Sequence, residues 1–513
     1  MPFRIYFPGR FLQGGKPLFN MKKELFFTLN LSIFNADLYS MKSSMQIFGR
    51  KVLTGMREVH KKNCLIVFIL FFCGTFVISA QETTESILTR ISGLLSESKY
   101  NDAIALFDTI TLPDRDSTSV RLIKASVLSS AGKYTEARTL AESICNAEPQ
   151  NTEALFLLAA IESVSKRPRQ QQAALEKIIK IDPNNIEALI SLGNLSLSSR
   201  AVRPAAAHFH SVLMKEPRNL DALIGLSRAF RMNREWEDAE VLLNHAVELY
   251  PNVVEARNER ARYLWGRGSL RQALEDLNEA KKLAPSDYWI AIDLGNLLME
   301  MNRKPESLEE FNRAISINPQ EYRAYAYSSG LKDDLGDHDG AERDYAMLAK
   351  LKPDYYFGLE GLGLHRMRKE RWADARDTFM EAYKQAPQET IYGLLAALNW
   401  MRAEDITKPR TFLSQVHAKV KRDTLEWYMI RLYYDLTARN HVGENDMVIR
   451  LDQEKDQNTK ARMMFYMAQY YDIRGNSSMA NKYYLMVNEI DRRAIPEWRL
   501  NEWIITDRNL KSN

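Results

Sequence analysis

Few residues in this 513-residue chain have the type and spacing that chemistry needs. Gly358, Gly361 and Gly363 lie close enough together to suggest a backbone cradle for a phosphate. Such a loop follows a strand, and no strand precedes these glycines, so they read instead as small residues where helices cross. His208 and His210 come nearest to a metal pair. They flank Phe209, which is expected to be buried, so they emerge on either side of a helix edge and do not converge on one ion. Acidic residues come one or two per helix and read as solvated outer faces. No nucleophile stands with a base, and neither a paired-carboxylate cleft nor a metal cluster emerges. The expectation is a non-enzymatic chain without cofactor or metal.

The elements behind these residues are helical. Apolar residues make up 45% of the chain and charged residues 27%, which suits a folded chain and not a disordered one. A formal charge of +4 would invite a nucleic-acid partner, but it resides in the first 80 residues. These hold 11 of the 70 basic and 3 of the 66 acidic side chains, leaving 59 basic against 63 acidic in the rest. With no basic face in that mildly acidic body, a polyanion partner is not expected.

A period of 34 residues organises the body. Proline stands at 149, 183, 217, 251, 285, 319, 353 and 387. Twenty-four residues before these prolines come Ala125, Ala159, Gly193, Ser227, Ala261, Gly295, Ser329 and Gly363, all small. Twelve before come mostly alanines, such as Ala205, Ala239 and Ala273. Eight before come bulky residues, such as Phe209, Phe311 and Phe379. Steps of three and four set the alanine, the bulky residue and a last apolar residue on one stripe of a second helix. The small residue lets a first helix cross it closely. Helices of about a dozen residues are marginal alone, so the pair must hold by packing, and proline ends the unit where its missing N–H costs nothing.

This comb resembles the tetratricopeptide repeat, a 34-residue unit with small residues at its eighth and twentieth positions, a bulky one at the twenty-fourth and proline at the thirty-second. The resemblance implies an all-α, right-handed α-solenoid superhelix of stacked helix-turn-helix units. It covers residues 84–389 as about nine units. It also implies a concave groove lined by the first helices, with positions two, five, nine, twelve and thirteen facing a peptide or protein partner. The ninth position reads Asn194, Arg228, Arg262 and Asn296 in four consecutive units, with Arg231, Trp265, Trp289 and Glu300 nearby. Arginine forks onto carboxylates and asparagine pairs with amides, so a partner segment that is acidic or C-terminal is expected. Ile190, Ile224 and Asn258 stand where relatives that hold chaperone C-termini place lysines, which disfavours that role.

The ends depart from the comb. Residues 56–80 have the layout of a secretory signal: Arg57, Lys61 and Lys62, then an apolar run from Cys64 to Ile78, then Ser79 and Ala80. Cleavage there leaves Gln81 first and only Cys145 of the three cysteines. Retention as a membrane anchor through 64–80 and lipidation at Cys73 are the alternatives. Residues 1–55 read as a start assigned too early or as an extension without helical period. Residues 390–455 lose register and read as divergent helical repeats, either a hinge or a specialised docking surface. A unit returns at 461–494, similar to the last repeats of bacterial envelope tetratricopeptide lipoproteins, and 496–510 suits a capping helix. Together these features predict an exported scaffold, periplasmic or associated with the bacterial cell envelope, that binds proteins through its groove. The alternative is a periplasmic component that binds a small ligand or joins a solute transport system. Nothing in the sequence specifies an oligomeric state.

Overall fold

The computed structural model describes residues 83–439, 443–490 and 495–510. The segment 1–55, the leader 56–80 with Cys73, and residues 491–494 of the late repeat lie outside the described residues. Among the described residues, 25 α-helices run from Thr84 to Asp507 in antiparallel pairs that stack on their neighbours, an all-helical solenoid. Nine pairs fill Thr84 to Gln385. Three more follow, and the last helix, Pro496–Asp507, stands alone. None of these helices is long and apolar enough to cross a membrane.

The local chemistry repeats with the same period. In the unit Thr152–Val164 and Pro168–Ile181, helices of 13 and 14 residues are joined by a tight turn. Asn151, Asn185 and Asn219 cap three first helices, each accepting a hydrogen bond from the backbone N–H three residues on, at 2.9 to 3.0 Å. Asp287 does the same for a later one. Inside each of these nine units the first helix ends on a residue with positive φ: Ser98, Gly132, Lys166, Arg200, Arg234, Gly268, Asn302, Gly336 and Glu370, again in steps of 34. The following N–H closes back onto a carbonyl five residues earlier, as in Lys133 N to Leu128 O at 2.9 Å. This turn has no fixed residue type, which hides it from composition.

Bulky residues of the second helices fill the space beside small residues of the first. Phe209 is fully buried, and a Cβ added to Gly193 or Gly225 would fall within 2.6 Å of its ring. Phe311 does the same to Gly295, and Phe379 to Gly363. Gly361 abuts Tyr345 and Gly358 abuts Leu348, so the glycine-rich stretch is a set of crossing points on the helix Tyr356–Arg368. His208 is half-buried and His210 exposed, on either side of Phe209.

Acidic side chains do not keep to the outer faces. Glu162, Glu259, Asp276, Glu310, Asp333, Asp344 and Glu497 are all less than 9% exposed. Their burial is sustained by cations on adjacent helices, because an unpaired buried charge is expensive. Asp276, Glu310 and Asp344 form a second comb of step 34 along the second helices. Asp276 accepts from Arg260 twice at 2.7 Å, Glu310 from Arg313 at 2.7 Å, and Asp344 from Ser328 and Lys332 at 2.6 Å.

The core does not break where the proline comb slips. One cluster of buried apolar side chains runs from Leu359 through the segment 390–455 to Trp503. Upstream, the apolar residues form smaller clusters, each confined to neighbouring units.

Candidate functional site

The first helices Leu220–Met232, Val254–Gly266 and Tyr288–Glu300 lie side by side, and their polar residues lace them together. Arg228 donates from Nη2 to Glu259 Oε1 and from Nε to Glu259 Oε2, the latter at 3.1 Å. One unit on, Arg262 donates to Asp293 Oδ2 at 2.9 Å, and its Nη1 also stands 3.6 Å from Glu259 Oε1. Both hydrogen-bonded pairs span 31 residues, joining the ninth position of one unit to the sixth of the next. Asn296 bonds to Tyr327 on the same register. Asn194 would meet Gly225, which has no side chain, and it is exposed.

The arginine strip is therefore an internal ladder, with its carboxylates supplied by the chain. An acidic residue 31 positions after each arginine was the signal available in the sequence, since one solenoid step less three residues brings side chains face to face. Glu259 is 5% exposed. Burial alone would raise its carboxyl, but Arg228, Arg262 and Arg231 outweigh burial and hold it below the usual range. At Asp293 burial wins over Arg262, and the carboxyl is raised.

Arg231 is the member of the trio with least compensation. Its Nη1 stands 3.9 Å from Glu259 Oε2, beyond hydrogen-bond reach. Burial pulls its guanidinium below the ordinary value despite Glu259, and the adjacent Arg228 and Arg262 add to the effect. Three guanidiniums facing two carboxylates leave one positive charge over. The other predicted residues pair with one another or with the next unit. Trp265 Nε1 donates to Glu300 Oε2 at 2.6 Å. The Trp289 ring lies 5.3 Å under the Arg323 guanidinium and meets Tyr288 edge-on at 5.1 Å.

Profiles described as Tetratricopeptide repeat match residues 196–262, 291–321 and 331–390. These stretches are tetratricopeptide repeats. The tetratricopeptide array shares 29% identity over 104 residues with the human Superkiller complex protein 3, covering 20% of this chain and 7% of that one. It shares 24% with the mouse Protein O-mannosyl-transferase TMTC1, covering 28% of this chain and 15% of that one. The chain thus spans a small fraction of these curated relatives. Among solved structures, PilF of Pseudomonas aeruginosa aligns at 19% identity and a TM-score of 0.35, covering 41% of this chain and 96% of PilF.

A second polar cluster escaped sequence reasoning. The tetratricopeptide stack curls at its end so that the last helix, Pro496–Asp507, packs on the helices Gln457–Ile473 and Ser477–Ile490 and also on Tyr356–Arg368. Arg499 forks onto Asp333 and Asp334, with the Asp334 contact at 3.1 Å. His365 Nε2 stands 2.9 Å from Asp333 Oδ1, and His338 Nδ1 3.3 Å from the same oxygen. Trp503 lies against both imidazoles, with ring centres 5.3 and 5.1 Å away, and the Arg368 guanidinium covers it at 4.7 Å. These partners are some 165 residues apart, a distance at which no periodic pattern links them. Among the described residues no group of three or more His, Cys, Asp or Glu side chains is placed to hold a metal.

Proposed function

We propose that this tetratricopeptide repeat protein is an exported, non-enzymatic scaffold of the bacterial cell envelope, which captures protein partners by an acidic or C-terminal segment laid against its first helices. The observation that carries this is the charge imbalance around Glu259: Arg228 and Arg262 are committed to internal carboxylates, while Arg231 keeps hydrogen-bonding capacity for an anion from outside. A ligand carboxylate placed there would gain charge-assisted hydrogen bonds and relieve the repulsion within the trio. Trp265, one unit on in the register of Arg231, supplies flat apolar surface. Export rests on the layout of residues 56–80, and the absence of any catalytic constellation in the sequence supports a binding role.

Affinity capture from envelope extract with the wild type and with Arg231→Glu tests the reading. Loss of one charge-assisted contact should weaken capture by roughly tenfold or more, and the wild-type interaction should weaken as salt rises. Capture indifferent to Arg231→Glu would sink the carboxylate assignment.

A further inference from the structure

The groove register that presents Arg231 and Trp265 upstream continues in steps of 34 to Asp333, and the register of Glu300 continues to Asp334 and Arg368. These downstream groove positions are the ones that the last helix touches. The solenoid therefore holds, within itself, an example of a ligand seated on its inner face. That ligand is an α-helix, and it presents a guanidinium and an indole one turn apart, Arg499 and Trp503.

The last helix has two different sides. Toward the final unit it is held by apolar and hydrogen-bonded groups: Leu500 is 2% exposed and Asn501 Nδ2 donates to Tyr484 O at 3.0 Å. Toward the downstream groove it meets Asp333, Asp334, His338, His365 and Arg368, a charged and aromatic surface. Asp334 also keeps Lys304 at 2.9 Å as an alternative partner. That contact is made of paired charges and stacked rings, with Asp333 and Trp503 both buried in it, so it depends on matched polar partners more than the seam with the final unit does.

We propose that the inner face formed by Tyr322–Asp334, His338 and Tyr356–Arg368 is a docking site for a partner helix that presents a cation and an indole one turn apart, and that the chain's own last helix occupies it as an exchangeable pseudo-ligand. The carboxylate pair reads the cation. The two imidazoles and Arg368 form the slot that takes the indole, by stacking and cation–π contact. A partner helix of this chemistry competes with Arg499 and Trp503 and opens the curl as it binds. The downstream site selects for basic character and the Arg231 cluster for acidic character, so one chain could hold two chemically distinct partners. This downstream site would stand even if the Arg231 cluster bound nothing.

The test uses the full chain and a labelled synthetic peptide of residues 495–510 as the probe. In fluorescence anisotropy the peptide should bind the chain carrying Arg499→Glu and Trp503→Ala at least tenfold more tightly than the wild type, whose site is filled. Adding Asp333→Asn and Asp334→Asn should abolish that binding. If the double variant loses helical circular dichroism, Arg499→Gln, which keeps length and removes charge, is read by the same assay. Equal or absent binding to opened and wild-type chains, or binding that ignores the aspartate changes, overturns the proposal. Unfolding of both variants overturns it too, since the helix would then be core and not ligand.

Discussion

The stack from Thr118 to Ile317 and the stretch from Tyr322 to Asp507 are built from similar helix pairs, yet they are held together differently. Upstream, apolar clusters stop at neighbouring units, and the ion pairs step from one first helix to the next over 31 residues. Downstream, one apolar cluster spans everything from Leu359 to Trp503, and polar links leap much further: Arg402 to Asp472 over 70 residues, Arg499 to Asp333 over 166. The difference lies at groove positions. Where they carry arginine matched one unit on by an acid, the face stays open along its length. Where they carry Asp333 and Asp334, the chain's own last helix sits on them. One repeat thus yields an open binding face and a closed end, by polar substitution on a common apolar frame.

The strongest way to break this comparison is to remove one large core residue from each region. Phe209→Ala upstream and Phe465→Ala downstream, both fully buried, should each cost about 3–5 kcal/mol. Hydrogen exchange should separate them. Loss of Phe209 should raise exchange chiefly between residues 186 and 232, because a solenoid unit supports only its neighbours. Loss of Phe465 should raise it across 359–503 together. A downstream response confined to the helices touching Phe465 would show that the closed end is an ordinary stack.

Glu259→Gln comes next. It leaves Arg228, Arg231 and Arg262 facing one another with a single remaining partner, Asp293, and removing one member of a buried ion cluster should cost about 3 kcal/mol. Urea denaturation with an unchanged slope would register this as a shift of the midpoint alone. A neutral outcome would mean that the ladder merely decorates a frame held by apolar packing.

Much of the frame was legible. Prolines in step and small residues opposite bulky ones are local choices that agree with one another, and each follows from helix geometry. The ladder was half legible: Arg228 and Arg262 stood out by type, while Glu259 and Asp293 were read as solvent-facing, because their burial depends on a neighbour one unit away. The positive-φ turn stayed hidden because lysine, arginine, asparagine, glutamate and glycine all fill it. The curl had no signature, since contact between Arg499 and Asp333 is a product of accumulated packing angles. The tail's capping role was expected, but its seat on Tyr356–Arg368 was not.

The finest contrast is between one buried carboxyl in each region, Glu360 and Glu259, which respond to pH with opposite sign. Downstream, Tyr392 donates to Glu360 Oε2 at 2.5 Å. Burial pushes the Glu360 carboxyl up to about 7 from an ordinary 4.5; Glu497 on the last helix adds to the rise, and the Tyr392 bond and Arg462 oppose it. The folded chain therefore keeps this proton up to about pH 7, while the unfolded chain releases it near 4.5. Stability from this group is complete below 4.5 and is lost as pH rises through 7, a change of about 3 kcal/mol. Upstream, the lowered carboxyl of Glu259 works the other way: its stabilisation is present above 4.5 and is lost as pH falls through its depressed value. Glu360→Gln imitates the protonated acid and keeps an acceptor for Tyr392. The variant should therefore exceed the wild type by about 3 kcal/mol at pH 8 and match it at pH 4.5. Thermal unfolding at both pH values reads the gap, and a gap that does not change with pH would place Glu360 in water and open the seam beside the last helix.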